Sequence, residues 1–465
     1  MTIRALPASV TPEDWDATPA SVRAWIDELS GNLQQLQERV RDLEQRLNQN
    51  SQNSSVPPSR DRKAKRPKPT QRRRRGAKPG HVKAERAWVE KPDAVIPAPL
   101  TTCTNCQADL RGVEPQRTIC RQLTELPEVR PVVIETRQAE GLCPVCHTLQ
   151  RGRLPEGLEA ERRFGPRLEA TVVYLQHQQH LGYQRTGQAL QDLFGVSVSD
   201  GGQACIIARA AEAAAPAAEA IRVQVQQSAV VGCDETGARV DGHTWWQWVF
   251  VVSQAIYHVI VASRGAGVIK TVMGEAKVAV WVSDCWKPQF HAPAERFQIC
   301  LVHQVRNLQG LIDRCPRLKW AQQMQQFFRS AMQLAKRRET LTATGYALRV
   351  QVLERRLDRL LAKQPRPKAA HALFKRYVRY RDRLLVFLYD PRVPFHNNAC
   401  ERALRPSVVH RKVTGGFRSE WGAKAYAALA SVIDTAKLQG QQVFATLVAL
   451  MGKPVLPYLN ASACE

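Results

Sequence analysis

The chain reads as a multidomain α+β protein on three observations. Its 465 residues exceed one ordinary domain, at roughly 100–200 residues each. Its patterning changes along the length, from a helical apolar repeat, through a Pro- and Arg-rich tract, to short apolar runs of strand type. Two of those runs end in aspartate, within a stretch where strand and helix patterns alternate. A hydrophobic fraction of 44% is enough for at least one sizeable core. The formal net charge of +25 and a pI of about 10.0 point to a polyanionic partner. No apolar run of about 18 residues is present, so no membrane span is expected. Met1 to Ala20 has neither a basic start nor an apolar core, which argues against a secretory signal. The 12 cysteines are too sparse for a disulfide scaffold, and Cys205, Cys233 and Cys300 lie in apolar or strand-like surroundings. The cytoplasm is therefore the expected compartment.

The first element is helical. Ile26, Leu29, Leu33, Leu36, Val40, Leu43 and Leu47 recur at alternating steps of three and four, the a/d pattern of a coiled coil over residues 21–50. Self-association through this stripe is the expectation; an amphipathic helix packed on its own domain is the alternative. The polar run 48–55 and Val56-Pro57-Pro58-Ser59 end the helix, opening a linker over 51–100. Within it a basic tract, with Arg72, Arg73, Arg74 and Arg75 in succession, is broken by Pro67, Pro69 and Pro79. A disordered arm of this composition binds phosphates by counterion release, without reading sequence.

Cys103-Thr104-Asn105-Cys106 and Cys143-Pro144-Val145-Cys146 each present two thiolates from one turn, and together make a structural Zn²⁺ site in a module over 101–150. The β-branched run Pro131 to Thr136 reads as a strand bringing the two knuckles together. The loop between them is longer than the roughly 15–20 residues of a compact ribbon, so zinc is better supported than any named ribbon type. Residues 151–225 turn helical, and Tyr183 to Ala208 reads equally as a helix-turn-helix or as simple helical packing.

Over 226–440 the pattern becomes α/β. Ser228 to Thr236 is a short apolar strand delivering Asp234 at its end; Trp245–Val252 and Ala255–Ala262 continue as an antiparallel meander. Val268 to Glu275 reads as a crossover helix, and Val278 to Asp284 repeats the device of a strand ending in aspartate. Two such strands in one sheet bring two carboxylates to one edge, an arrangement suited to hard cations, Mg²⁺ or Mn²⁺. Paired ions of this kind activate water or a 3′-hydroxyl and stabilise the leaving oxygen of a phosphodiester. The third carboxylate is Glu401, about one turn into a helix that Asn397 or Asn398 can cap, with Arg402 and Arg405 beside it for phosphates. Residues 315–390 read as a helical insertion. Lys412 and Arg418, in the stretch after Glu401, are placed to close over a DNA backbone, and residues 441–465 form a C-terminal segment.

Asp-Glu-Thr-Gly, Ser-Asp-Cys-Trp-Lys, Asn-Asn-x-x-Glu-Arg-x-Leu-Arg and Lys-Val-Thr-Gly-Gly-Phe-Arg-Ser follow in that order. With the coiled coil, the Asn-Ser-Ser-Val-Pro-Pro-Ser linker, the basic tract and the cysteine pairs, the chain resembles the insertion sequence 66 family of bacterial transposases over nearly its whole length. The resemblance implies a DDE recombinase with an RNase H-like core and a triad on Asp234, Asp284 and Glu401. It also implies DNA ends and target as partners, small accessory proteins encoded alongside, and a place at the nucleoid. Cys300-Leu301-Val302-His303 resembles the Cys-x-x-His element of several DDE groups, with Cys300 and His303 either supporting the site or serving as a core thiol and a cap. His396 departs from the family pattern, where an aspartate is expected. A metal-dependent nuclease that never joins, and an inactive DNA-binding regulator, are the competing functions.

Overall fold

The computed structural model describes residues 11–47, 49–50, 53, 81, 86–155, 158 and 163–452. The basic run Arg72 to Arg75 lies outside them, as do residues 453–465 of the C-terminal segment.

Helix α1 (Pro12–Ala17) starts at Thr11, whose hydroxyl accepts from the Asp14 backbone N–H while the Asp14 carboxylate reaches back, a reciprocal cap. Helix α2 (Ala20–Leu47) carries the heptad stripe, and Leu29, Leu33, Leu36, Val40, Leu43 and Leu47 are all exposed along it. Strands β1 (Glu140–Leu142) and β2 (Leu149–Arg151) form a small antiparallel ribbon around the second cysteine pair. The expected strand at Pro131 to Thr136 does not form. That segment has no regular structure, and Val133 is 91% exposed, because no neighbouring strand accepts its backbone hydrogen bonds.

The rest is one layered body. Helices α3 (Pro166–Val173), α4 (Tyr183–Phe194) and α5 (Asp200–Gln227) come first. Gly195, at a left-handed φ of 66°, closes α4, and the Ser199 hydroxyl caps α5 by accepting from Gly202 N–H. The sheet follows: β3 (Val230–Val240), β4 (His243–Val251), β5 (Ile256–Val261), α6 (Gly267–Met273), β6 (Val278–Ser283) and β7 (Ala294–Ile299). Its strand order is β5-β4-β3-β6-β7, with β3, β4 and β5 antiparallel and β6 and β7 parallel to β3. The expected meander and crossover helix thus form.

Alternation along the strands divides the core. Val231, Cys233, Trp248, Phe250 and Trp281 face α3, α5, α6 and two later helices, α12 (Glu420–Leu438) and α13 (Val443–Met451). The helices at 166–227 therefore share a core with the sheet, and no separate hydrophobic core divides them at residue 225. Because α5 buries Ile206, Ala210, Ala214 and Val225 in that core, most of its length serves packing. Val280 and Val282 face the other way, onto α7 (Leu301–Arg314) and onto α8 (Lys319–Lys336), α9 (Ala343–Leu361) and α10 (Lys368–Arg379) of the helical insertion. On this second face α11 (Asn398–Thr414) lays Cys400, Ala403 and Leu404 against Val249 and Val251 of β4.

Candidate active site

Two parallel strands set the geometry. Gly232 of β3 pairs with Val282 of β6, and two residues further along each strand stand Asp234 and Asp284. The sequence reading placed Asp234 at the end of its strand. In fact β3 runs on to Val240, paired with β4, whereas β6 stops at Ser283, so Asp234 lies mid-strand at the point where its parallel neighbour ends. The edge is created by β6 terminating, which no local pattern in β3 reveals.

Burial, then the charge of Asp284, then that of Glu235 push the Asp234 carboxyl well above the usual carboxylate range, as expected for two like charges in a poorly hydrated corner. Asp284 Oδ1 accepts the Trp286 backbone N–H at 2.8 Å. Glu401 enters from α11: its Oε1 is buried, has no hydrogen-bond partner among the described residues, and lies 3.5 Å from His303 Nε2 of α7. Burial works against a charged His303, yet the hydrogen bond and charge of Cys300, with the Glu401 and Asp284 carboxylates, hold its pKa up at about 9. Cys300 follows β7 at the N-cap position of α7, and its sulfur accepts the Asn397 N–H at 3.2 Å.

Asn397 stands at the N-cap position of α11, but its side chain does not cap. It donates instead to the Cys233 carbonyl of β3 at 2.9 Å, tying the Glu401 helix to the Asp234 strand. Gly232 permits that approach, since a Cβ there would sit 3.0 Å from the Cys400 sulfur. His396 beside it packs edge-on against Phe395, its buried Nδ1 without a hydrogen-bond partner among the described residues.

A second group escaped the sequence reading. Arg264 donates to Glu235 Oε1 at 2.9 and 3.0 Å, and its guanidinium lies 4.1 Å from the Trp286 ring centroid and 4.4 Å from that of Trp246. Gln289 bridges Glu235 to the buried Trp281 indole through hydrogen bonds of 2.9 and 3.0 Å. Glu235 and Trp286 each adjoin or nearly adjoin an aspartate of the edge, which was the one available signal.

By chemistry, though not by convergence, the donor set suits a hard divalent cation: two electrostatically coupled carboxylates and a third whose buried oxygen accepts no hydrogen bond among the described residues. Asp234 is coupled to Asp284, while Glu401 is paired with His303, and among the described residues no three His, Cys, Asp or Glu side chains stand close enough to share a metal. The same holds for Cys103, Cys106, Cys143 and Cys146. Each pair nonetheless forms the same knuckle, with Gln107 N–H to Cys103 O at 3.0 Å and His147 N–H to Cys143 O at 2.9 Å, Gln107 and His147 both left-handed. The two knuckles do not converge, since the strand expected to join them is absent. Arg402, Arg405 and Lys412 are exposed on α11, as is Arg418 just after it.

These features define a mixed α/β protein with an acidic cluster at the edge of its sheet. The family described as Transposase IS66 family matches residues 161–425, more than half of the chain and including Asp234, Asp284 and Glu401, and the chain belongs to that family. A transposase role goes with that membership. Residues 9–87 match a family of unknown function (DUF6444). No curated protein matches the chain. Among the described residues no helix is long and apolar enough to cross a membrane.

Proposed function

We propose that the chain cuts DNA at the ends of its element and joins the freed strands to target DNA, as a DDE transposase with an RNase H-like core. The observation that carries this is the β3–β6 register, which sets Asp234 beside Asp284 where β6 ends, with the Glu401 helix tied to β3 through Asn397. The strand order, three antiparallel strands followed by two parallel ones, supports the RNase H-like reading.

Asp234, Asp284 and Glu401 would hold divalent magnesium or manganese, which when bound supplies Lewis acidity to activate the attacking oxygen and stabilise the leaving one. His303 orients Glu401, and Trp286 N–H orients Asp284. Arg402, Arg405, Lys412, Arg418 and the tract Arg72 to Arg75 neutralise phosphates on the approaching duplex. Cys103, Cys106, Cys143 and Cys146 hold a structural Zn²⁺ once their two matching knuckles close together. The exposed stripe of α2 pairs protomers, which gives synapsis of two ends a physical basis. Accessory proteins encoded alongside assist, and the reaction belongs to the bacterial cytoplasm, at the nucleoid.

The test is Mg²⁺-dependent cleavage and joining on a plasmid bearing the flanking DNA ends, wild type beside Asp284→Asn, with and without the neighbouring gene products. Joined product from wild type alone supports the proposal. Cleavage without joining makes the chain a nuclease, and tight, salt-sensitive end binding with no reaction makes it a regulator.

A further inference from the structure

Beside the acid cluster lies a cleft of about 440 Å³, lined by Asp284, Trp286, His303, Arg314 and Arg376 and, from the segment after α2, by Gln49 and Asn53. Resting on the reading of that cluster as a DNA-cleaving site, we propose that the cleft holds one unpaired nucleotide of the DNA strand, its base stacked on Trp286 and its phosphate on Arg376 and Arg314.

The ring is held where a stacking platform should be. Trp286 is 36% exposed although it is large and apolar, and its backbone N–H is fastened to the Asp284 carboxylate. Arg264, itself anchored on Glu235 and Trp246, lies against the ring, so little side-chain freedom remains to be lost on binding. The same cleft is lined by α7 and the insertion helix α10. Arg314 spends one donor on the Gly310 carbonyl at 3.0 Å, and Arg376 one on Gln304 Oε1 at 3.4 Å. A guanidinium has five donors, so both keep capacity for phosphate oxygens.

The chemistry of the walls selects the occupant. A free small anion would use the guanidinium groups alone and leave the exposed Trp286 ring uncovered. A nucleotide divides its contacts, an uncharged π face on the indole and a phosphate on the guanidinium groups, and the cleft lies within the roughly 300–1,000 Å³ of ordinary ligand pockets. A base within a duplex has both faces stacked, so the ligand must be single-stranded or extruded. On this account the helical insertion does more than pack: α10 supplies one wall of the substrate cleft.

The experiment compares the full chain's affinity for a short thymidine oligonucleotide with that for an abasic phosphodiester of equal length, with a chelator present so that no cleavage occurs. Wild type should prefer the thymidine strand by roughly 5- to 150-fold. Trp286→Ala should lose that preference, Trp286→Phe should keep most of it, and Arg376→Ala should weaken both ligands alike. Trp286→Phe retains a ring against Arg264 and so guards against simple misfolding. Equal preference in Trp286→Ala and wild type would overturn the proposal. Because the readout is metal-free binding, a chain that shows the preference yet never cuts DNA in Mg²⁺ keeps the stacking site and loses only the catalytic reading.

Discussion

Acidification should loosen this fold through a cluster of histidines between α11, α12 and the turn after α3. His177 stacks on Tyr426 with centroids 5.6 Å apart, and His410 lies 4.7 Å from Tyr426 and 5.3 Å from Phe417. His180 sits edge-on to His410 at 5.8 Å, and Lys437 and Asp434 act on His180 from α12. The Nδ1 atoms of all three histidines are buried without a hydrogen-bond partner among the described residues. Burial lowers His177 to about 3 and His410 to about 4, from an ordinary 6.5, and the neighbouring imidazoles add to it. Between pH 6.5 and about 4 the unfolded chain therefore binds more protons than the folded one, so stability present above pH 6.5 drains away as pH falls. The slope is roughly 1.4 kcal/mol per pH unit for each histidine, or about 3 kcal/mol each across that window. Carboxylates also titrate there, so the informative quantity is a difference. Urea unfolding midpoints for wild type and His410→Phe, a change that keeps the aromatic stack, should diverge as pH drops from 7 towards 4, the variant losing less. Parallel curves would refute the argument that His410 is neutral and buried.

Three other outcomes follow from particular contacts. Gly416 has φ of +114°, and a Cβ there would meet the Arg239 carbonyl at 2.7 Å, so Gly416→Ala should cost roughly 1–3 kcal/mol, read as a lowered thermal midpoint. An unchanged midpoint would mean the 415–418 turn is not held against β3. Leu33→Lys in the exposed stripe of α2 should lower the sedimentation mass of any oligomer while leaving the midpoint of the α/β body in place. Purified chain should carry one zinc per protomer by elemental analysis, and Cys106→Ser should abolish it; retention of metal in the variant would assign zinc elsewhere.

The sequence by itself was enough to identify the parts whose rules are local. A period of three and four marked α2, alternation and turn residues marked β4, β5 and β6, and Cys-x-x-Cys spacing marked both knuckles, because helix, strand and turn chemistry act within a few residues. It also singled out Asp234 and Asp284, each following a short apolar run of strand type. What it left undecided was everything set by distance along the chain. Asp234 faces Asp284 because β6 stops at Ser283, one residue short of it, and Asn397 reaches Cys233 across the whole insertion instead of capping its own helix. The His177–His410–Tyr426 stack and the Glu235–Arg264–Trp286 clamp join residues from separate elements, and the Pro131–Thr136 strand failed for want of a partner. Register and long-range packing are settled only when elements meet, since a buried contact is stabilised by neighbours that local patterning does not specify.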